Sequence, residues 1–330
     1  MTERDGRRGN GHRPAVPGAG LKVAEKAVAG VAGPAIQLVD LTKRYRANLA
    51  VAGVTMSVPR GEVFGFLGPN GAGKTTVVKL LLGLARPSLG QGAVLGEPLG
   101  SREARRRIGY LPELFRYQGW LEAREVLALH CELAGVPLRL RPGAIETALE
   151  TAGLADRGRD RVETFSKGMQ QRLGLAVALL GDPQLVLLDE PTSALDPVGR
   201  HDVRDIIRGL KQRGVAVFLN SHLLSEVEQV CDRVAVVDHG RVVAQGPLAE
   251  LLAAPQVRIR CTGLGGESMA GLRRRWAFHQ DGDWLSVAGI AAAEVPDLVA
   301  ALVSAGARIH AVEPGQQTLE ERFLQLVEQP

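Results

Sequence analysis

From Ile36 to about Gly246, short apolar runs alternate with stretches of helical periodicity. Glu62-Val63-Phe64-Gly65-Phe66-Leu67, Leu185 to Leu188, Val215 to Leu219 and Val234 to Val237 are too short for helices and read as buried strands. Ile36-Gln37-Leu38-Val39 opens the series as a further strand. Between them, segments such as Thr75 to Leu84 carry Val77, Val78, Leu80, Leu81 and Leu82 at the spacing of a half-buried helix. Continuously apolar strands interleaved with helices predict an α/β domain around a mostly parallel core sheet.

After Gly246-Pro247 the texture changes. Val257 to Cys261 reads as a short strand, and the segments flanking Gln280-Asp281-Gly282-Asp283 read as a hairpin around Asp-Gly. A helix from about Glu294 to Ala305, a strand near Ile309 to Val312 and a last helix from Thr318 to Glu328 follow. Thr318 is a candidate N-cap, with Glu321 three residues on as its box partner. Residues 247–330 therefore predict a small C-terminal α+β appendage without a catalytic motif of its own. Residues 1–35, rich in Gly, Ala, Pro and Arg, predict a disordered basic leader, with Leu21 to Val31 able to form at most a short helix.

The chain has 330 residues, 45% hydrophobic and 23% charged, enough for an ample core. The net charge of +4 is concentrated: residues 1–35 hold six basic and three acidic residues, so the rest is nearly neutral. A nucleic-acid partner is therefore not expected from charge. No apolar run reaches the length of a membrane span, because Gly181-Asp182-Pro183 interrupts the longest candidate, Leu173 to Leu188. The first twenty residues lack the apolar stretch of a secretory signal. Cys131, Cys231 and Cys261 are odd in number and widely spaced, which suits reduced thiols of a cytosolic protein.

Chemistry enters at Gly68-Pro69-Asn70-Gly71-Ala72-Gly73-Lys74-Thr75, followed by Thr76, which fills the pattern G-x-x-x-x-G-K-[ST]. Glycines let backbone N–H groups close around phosphates, where a Cβ would obstruct them. Lys74 can reach the β and γ phosphates, and the Thr75 hydroxyl can ligate Mg²⁺. The bland alternative is a glycine-rich turn with a chance lysine. It loses weight because an apolar strand enters the loop and a helix leaves it with its N-terminus toward the anion. ATP and Mg²⁺ are the implied ligands. A second element follows at Leu185-Val186-Leu187-Leu188-Asp189-Glu190. Asp189, ending the strand, can hold the Mg²⁺ shell, and Glu190 can polarise an attacking water.

Upstream stands Phe165-Ser166-Lys167-Gly168-Met169-Gln170-Gln171-Arg172, and downstream Ser193-Ala194-Leu195-Asp196 and Asn220-Ser221-His222. With Tyr45 and the two elements above, these motifs in this order resemble the ATP-binding cassette (ABC) ATPases over roughly residues 36–246. The resemblance implies a P-loop cassette with a helical subdomain, working as a head-to-tail dimer in which each ATP lies between one chain's P-loop and the other's signature. It implies that Tyr45 stacks on adenine and that Ser166 and the Gly168 backbone meet the γ-phosphate across the interface. Glu190 would be the general base, His222 would orient phosphate and water, and Asp196 would link the halves. Alone, His222 would read as an ordinary surface or core histidine. Three positions depart from the family pattern: Lys167 replaces the usual glycine, Met169 the usual glutamine, and Tyr110-Leu111-Pro112-Glu113 stands where a glutamine loop is expected. Glu113 can approach Mg²⁺ as a hard oxygen ligand, and Gln118 lies nearby.

The departures, together with Ser221-His222-Leu223-Leu224-Ser225-Glu226-Val227-Glu228 and Thr318-Leu319-Glu320-Glu321-Arg322-Phe323-Leu324, look like one branch of the family. It comprises ATP-binding subunits of bacterial multidrug and antibiotic exporters whose permease is a separate polytopic chain. That implies a homodimer at the cytoplasmic face of the cell membrane. Phe115, Tyr117 and Trp120, close to Glu113, would suit a groove for a permease helix if exposed, or a packed loop if not. The competing class is a soluble ABC ATPase acting on ribosomes or nucleic acid, which usually carries two cassettes or long heptad insertions. This sequence has one P-loop and no sustained heptads. The cargo has no signature in this chain.

Overall fold

Three strands are apolar along their length because both of their faces are covered: Val63–Leu67 (β3), Leu185–Asp189 (β7) and Ala216–Asn220 (β8) are buried throughout, and only the last residues of β7 and β8 are polar. In the computed structural model, which describes residues 33–328 apart from Ala194, 253–254, 265–268, 270, 274 and 317, they lie side by side. With Ile108–Leu111 (β6), Arg233–Asp238 (β9) and Arg241–Pro247 (β10) they form a six-stranded sheet in the order β10-β9-β3-β8-β7-β6. Its pairings are parallel except for the β9–β10 hairpin. The mostly parallel core sheet expected from the apolar runs is therefore present.

A second sheet, all antiparallel, orders Asn48–Val58 (β2), Ile36–Tyr45 (β1), Leu89–Val94 (β4) and Glu97–Pro98 (β5). The Lys74–Leu81 helix is packed between the two, with Val77, Val78, Leu80 and Leu81 buried in their shared core. It ends three residues before the expected Leu84, because Gly83 turns left-handed at φ +69°. The ordered chain also begins earlier than Ile36: Ala35 is buried and its N–H donates to Val58 O at 2.8 Å. Residues 1–32, including the Leu21 to Val31 segment, lie outside the described residues.

Helices Ala123–Leu133, Arg141–Thr151 and Lys167–Ala178 enclose a core of their own around Leu127, Cys131, Leu149, Phe165 and Leu173. Cys131, Cys231 and Cys261 are buried free thiols, and burial raises the pKa of each.

Beyond Pro247 a third sheet runs in the order β12 (Phe278–Asp281), β13 (Trp284–Ala288), β11 (Pro255–Thr262) and β14 (Arg308–Gln316), antiparallel throughout. The Val295–Ser304 helix covers one face through Leu298 and Leu302. The hairpin turns on Gly282-Asp283, one residue later than a turn centred on Asp-Gly, because Asp281 still pairs with Trp284. The Leu319–Glu328 helix has the expected box: Glu321 N–H donates to Thr318 Oγ1 at 3.2 Å, and Thr318 N–H to Glu321 Oε2 at 3.1 Å. It does not pack in the third sheet's core. Leu319, Phe323, Leu326 and Val327 join the apolar cluster beneath β7, β8 and β9, and Leu319 N–H donates to Glu228 Oε2 at 3.1 Å.

Candidate functional site

The six-stranded sheet ends its parallel strands at one edge, the place where open α/β sheets bind ligands. From β3 the chain enters the loop Gly68–Gly73 and then the Lys74–Leu81 helix. Side chains are excluded at two of these positions. A Cβ on Gly68 would lie 2.2 Å from Val237 O, and one on Gly73, at φ +99°, 2.2 Å from Ala50 O. Gly73 is also the helix N-cap and makes no side-chain capping bond, so the first-turn amides are left to a ligand.

Lys74 is buried, and its Nζ donates to Gly68 O at 2.7 Å and Pro69 O at 3.1 Å. Burial lowers its pKa, opposed by the negative charges of Glu190, Asp189 and Glu113. Asp189 ends β7 opposite Asn220, the last residue of β8, whose Nδ2 donates to Asp189 Oδ1. Burial raises the Asp189 pKa; the Asn220 bond lowers it, while Glu113 and Glu190 add to the rise. Tyr110 is pushed up to about 12, first by burial and then by Asp189 and Glu113.

Glu190 is almost fully buried and held left-handed at φ +53°, with its N–H donating to Asn220 O at 2.9 Å. Its Oε2 lies 2.7 Å from Nδ1 of His222. The pair lacks hydrogen-bond alignment, so Oε2 remains without a hydrogen-bond partner among the described residues. A strained backbone and an orphaned buried carboxylate oxygen together mark a position held for chemistry.

Lys74, Glu190, Asn220 and His222 line an open cleft of about 590 Å³, with Asp189 behind its surface rather than in its lining. Asn70, Gly71, Gly73, Lys74, Thr75 and Thr76 form its floor, and Glu113, Glu190, Asn220 and His222 one wall. β3 lies between β8 and β9, so the turn after β9 with His239 flanks the loop on the other side, next to Asn48, Leu49 and Ala50. Glu113 is thus brought to the cleft, whereas Gln118 is not among its walls. Tyr45 is exposed at the β1–β2 turn beside wall residue Asn48, under the Lys43 ammonium at 4.8 Å from its ring. Among the described residues no cluster of three or more His, Cys, Asp or Glu is placed to hold a metal by itself. The donor set nevertheless fits a phosphate-bound Mg²⁺: a hydroxyl at Thr75 and carboxylates at Asp189 and Glu113 are hard oxygen ligands.

The ABC transporter family model matches residues 51–193. An uncharacterized ABC transporter ATP-binding protein of Nostoc sp. is 40% identical over 306 residues, 88% of either chain. The chain belongs to the ABC transporter ATP-binding proteins.

It is an ATP-binding subunit and an ATPase. Other relatives include a bacitracin transport ATP-binding protein of Bacillus licheniformis, 41% identical over 66% of this chain and 71% of that one. A Nod factor export ATP-binding protein of a Rhizobium species is 42% identical over 64% of this chain and 70% of that one. A solved ATP-binding subunit of an ABC transporter, 31% identical, superposes with a TM-score of 0.61 over 66% of this chain and 92% of its own.

Other motif residues of the cassette stand apart from the cleft. Ser166 is exposed and caps the Lys167–Ala178 helix, accepting from Met169 N–H at 3.2 Å. Gly168 lies beside it on the same first turn, facing Leu195. Asp196 is exposed and caps the Pro197–Gln212 helix, accepting from Gly199 N–H at 2.7 Å. Gln171 ties this region to the cleft, because its Nε2 donates to Pro191 O at 3.1 Å. The sequence motifs assign no role to Gln171, Asn220, Asn48, Leu49, Ala50 or His239. A polar residue closing a buried strand beside Asp189 was the signal for Asn220.

Proposed function

We propose that the chain drives export through a separate polytopic membrane permease, as a head-to-tail homodimer at the cytoplasmic face of the membrane. The observation that carries this reading is the split of the motif residues. Lys74, Glu190 and His222 line one cleft, while Ser166 and Asp196 are exposed helix caps outside it. A second copy, turned head to tail, would present Ser166 and the Gly168 amide to the first copy's γ-phosphate, with the Lys167–Ala178 helix dipole behind them. Asp196 would stand where the two copies meet.

In that arrangement Tyr45 stacks on adenine at the rim of the cleft. The Gly68–Thr76 amides, with Lys74, hold the phosphates of ATP. Thr75, Asp189 and Glu113 would hold Mg²⁺, which offsets charge on the β and γ phosphates when bound. Glu190 accepts the proton of the attacking water through its unpartnered Oε2, and His222 keeps that oxygen and the γ-phosphate in register. Products then carry two negatively charged groups in place of one, and the dimer opens.

Support for a separate permease comes from composition and kin. Among the described residues no helix is long and apolar enough to cross a membrane. Two relatives carry transport or export of bacitracin and Nod factor in their names. Residues 36–246 would be the motor and 247–330 an accessory region, with residues 1–35 dispensable for hydrolysis.

The test is affinity capture of the Glu190→Gln chain with ATP from detergent-solubilised native membranes, read by mass spectrometry. Recovery of one polytopic membrane protein in near-equal amount is expected. Recovery of ribosomes or nucleic-acid complexes, with no membrane protein, would overturn the reading.

A further inference from the structure

The turn between β9 and β10 brings to the cleft a residue that no motif assigns. Asp238 pairs with Arg241, which leaves His239 and Gly240 as a two-residue hairpin loop at φ +45° and +78°. Two successive left-handed residues are the conformation in which Asn-Gly and Gly-Gly predominate. A histidine is a less usual choice, and burial does not explain it, since its side chain is 91% exposed. Local rules broken without a packing reason tend to mark function.

The ring is nonetheless oriented. His239 Nδ1 lies 2.7 Å from Asp238 Oδ2, and a carboxylate can only accept there, so Nδ1 carries the proton. In the neutral ring Nε2 is then left as a hydrogen-bond acceptor. The turn itself is fastened to the nucleotide loop. Gly240 N–H donates to Ala72 O at 3.0 Å, and Ala52 N–H donates to Gly240 O at 2.8 Å.

Position selects the ligand group. The carboxylates of the cleft wall, Glu113 and Glu190, stand on the side of Lys74, where the terminal phosphates lie. His239 flanks the loop on the other side with Asn48, Leu49 and Ala50, a wall that carries no charged acid. A nucleotide anchored by its terminal phosphates at Lys74 and Thr75 would lead its sugar away from the carboxylates, toward that wall. Ribose hydroxyls are donors of the right kind for an acceptor nitrogen.

We propose that His239 is a nucleotide-contacting residue: its Nε2 accepts a hydrogen bond from a ribose hydroxyl of ATP, and Asp238 is its positioning residue. The proposal rests on the reading of this cleft as the ATP site, and the experiment separates the two. Binding of ATP, 2′-deoxy-ATP and 3′-deoxy-ATP is measured calorimetrically on the full chain, its His239→Gly, Asp238→Asn and Lys74→Ala variants. Glycine suits the left-handed turn, so His239→Gly keeps the hairpin while removing the ring. The wild type is expected to bind ATP about three- to tenfold more tightly than one of the two deoxy analogues. His239→Gly should bind ATP at the level of that analogue and discriminate no longer, with Asp238→Asn in between. Equal wild-type affinity for all three nucleotides, or discrimination that survives in His239→Gly, overturns the proposal. Undiminished ATP binding by Lys74→Ala overturns the reading of the cleft instead.

Discussion

Oε2 of Glu190 and Nδ1 of His222 lie 2.7 Å apart on one wall of the cleft, on the turns that follow adjacent strands β7 and β8. The Glu190 end is fixed by its left-handed backbone and by the Asn220 carbonyl, while the His222 side chain is more than half exposed. One partner is thus rigid and the other free to follow substrate. Replacing Glu190 by Gln keeps shape and hydrogen-bonding capacity but removes the proton acceptor. Turnover should fall about 10²–10⁴-fold with ATP affinity retained, and the ATP-loaded chain should run as a dimer on size exclusion. Normal turnover in Glu190→Gln would remove it as the base.

Asp189 illustrates a conflict between stability and chemistry. Burial first, then Glu113 and Glu190, raise its pKa, so the folded chain holds the proton more tightly than the unfolded one. Stability therefore falls as pH rises from the ordinary aspartate value through the raised folded one. Asp189→Asn removes that charge and can still accept from Asn220. Its melting temperature without nucleotide should therefore rise by about 2–4 °C near neutrality, while ATPase activity is lost. The gain should shrink in acid, as wild-type Asp189 takes up its proton. A lower melting temperature at neutral pH would show that Asp189 is satisfied as the anion.

Arg204 and Glu226 join the helix that Asp196 caps to the helix that follows His222. Arg204 Nη1 contacts both Glu226 oxygens, at 3.2 and 3.1 Å, with side chains only 16% and 10% exposed. A pair so little hydrated is costly to break one-sidedly. Glu226→Ala should destabilise by about 3 kcal/mol in urea unfolding, whereas an Arg204→Met, Glu226→Leu double variant should recover most of it. Equal losses in the single and double variants would mean that the ion pair itself stabilises the fold.

Much of this is legible in the sequence. Val63–Leu67, Leu185–Asp189 and Ala216–Asn220 announce themselves because two-sided burial demands an unbroken apolar run up to the polar strand ends Asp189 and Asn220, and the Thr318–Glu321 box is wholly local. What escaped depends on distant chain meeting in space. Gln171 reaches Pro191 O across the fold, and the His239 turn reaches the P-loop through Ala72 O. The Leu319–Glu328 helix follows the third sheet in sequence but buries Leu319 against the core of the nucleotide-binding body. Its amphipathic pattern reports that one face is covered, never by what.

The aromatic segment after Glu113 divides between the two roles open to it. Phe115 and Tyr117 pack 5.3 Å apart, ring to ring, and Tyr117 reaches the His130 ring edge-on at 5.6 Å within the helical core. Trp120 is 69% and Leu114 87% exposed, flanking that packed pair with apolar surface. Tyr117→Ala should therefore cost about 3 kcal/mol of stability. Trp120→Ala should change stability by no more than about 0.5 kcal/mol, because little of its ring is withdrawn from water. It should equally leave the ATPase rate of the isolated chain unchanged, since Trp120 is not among the residues that line the cleft. If the exposed pair seats a permease helix, Leu114→Ser with Trp120→Ala should abolish co-purification of the permease while ATP binding persists. Undisturbed co-purification would place the permease contact elsewhere on the cassette and leave Trp120 as an ordinary surface residue.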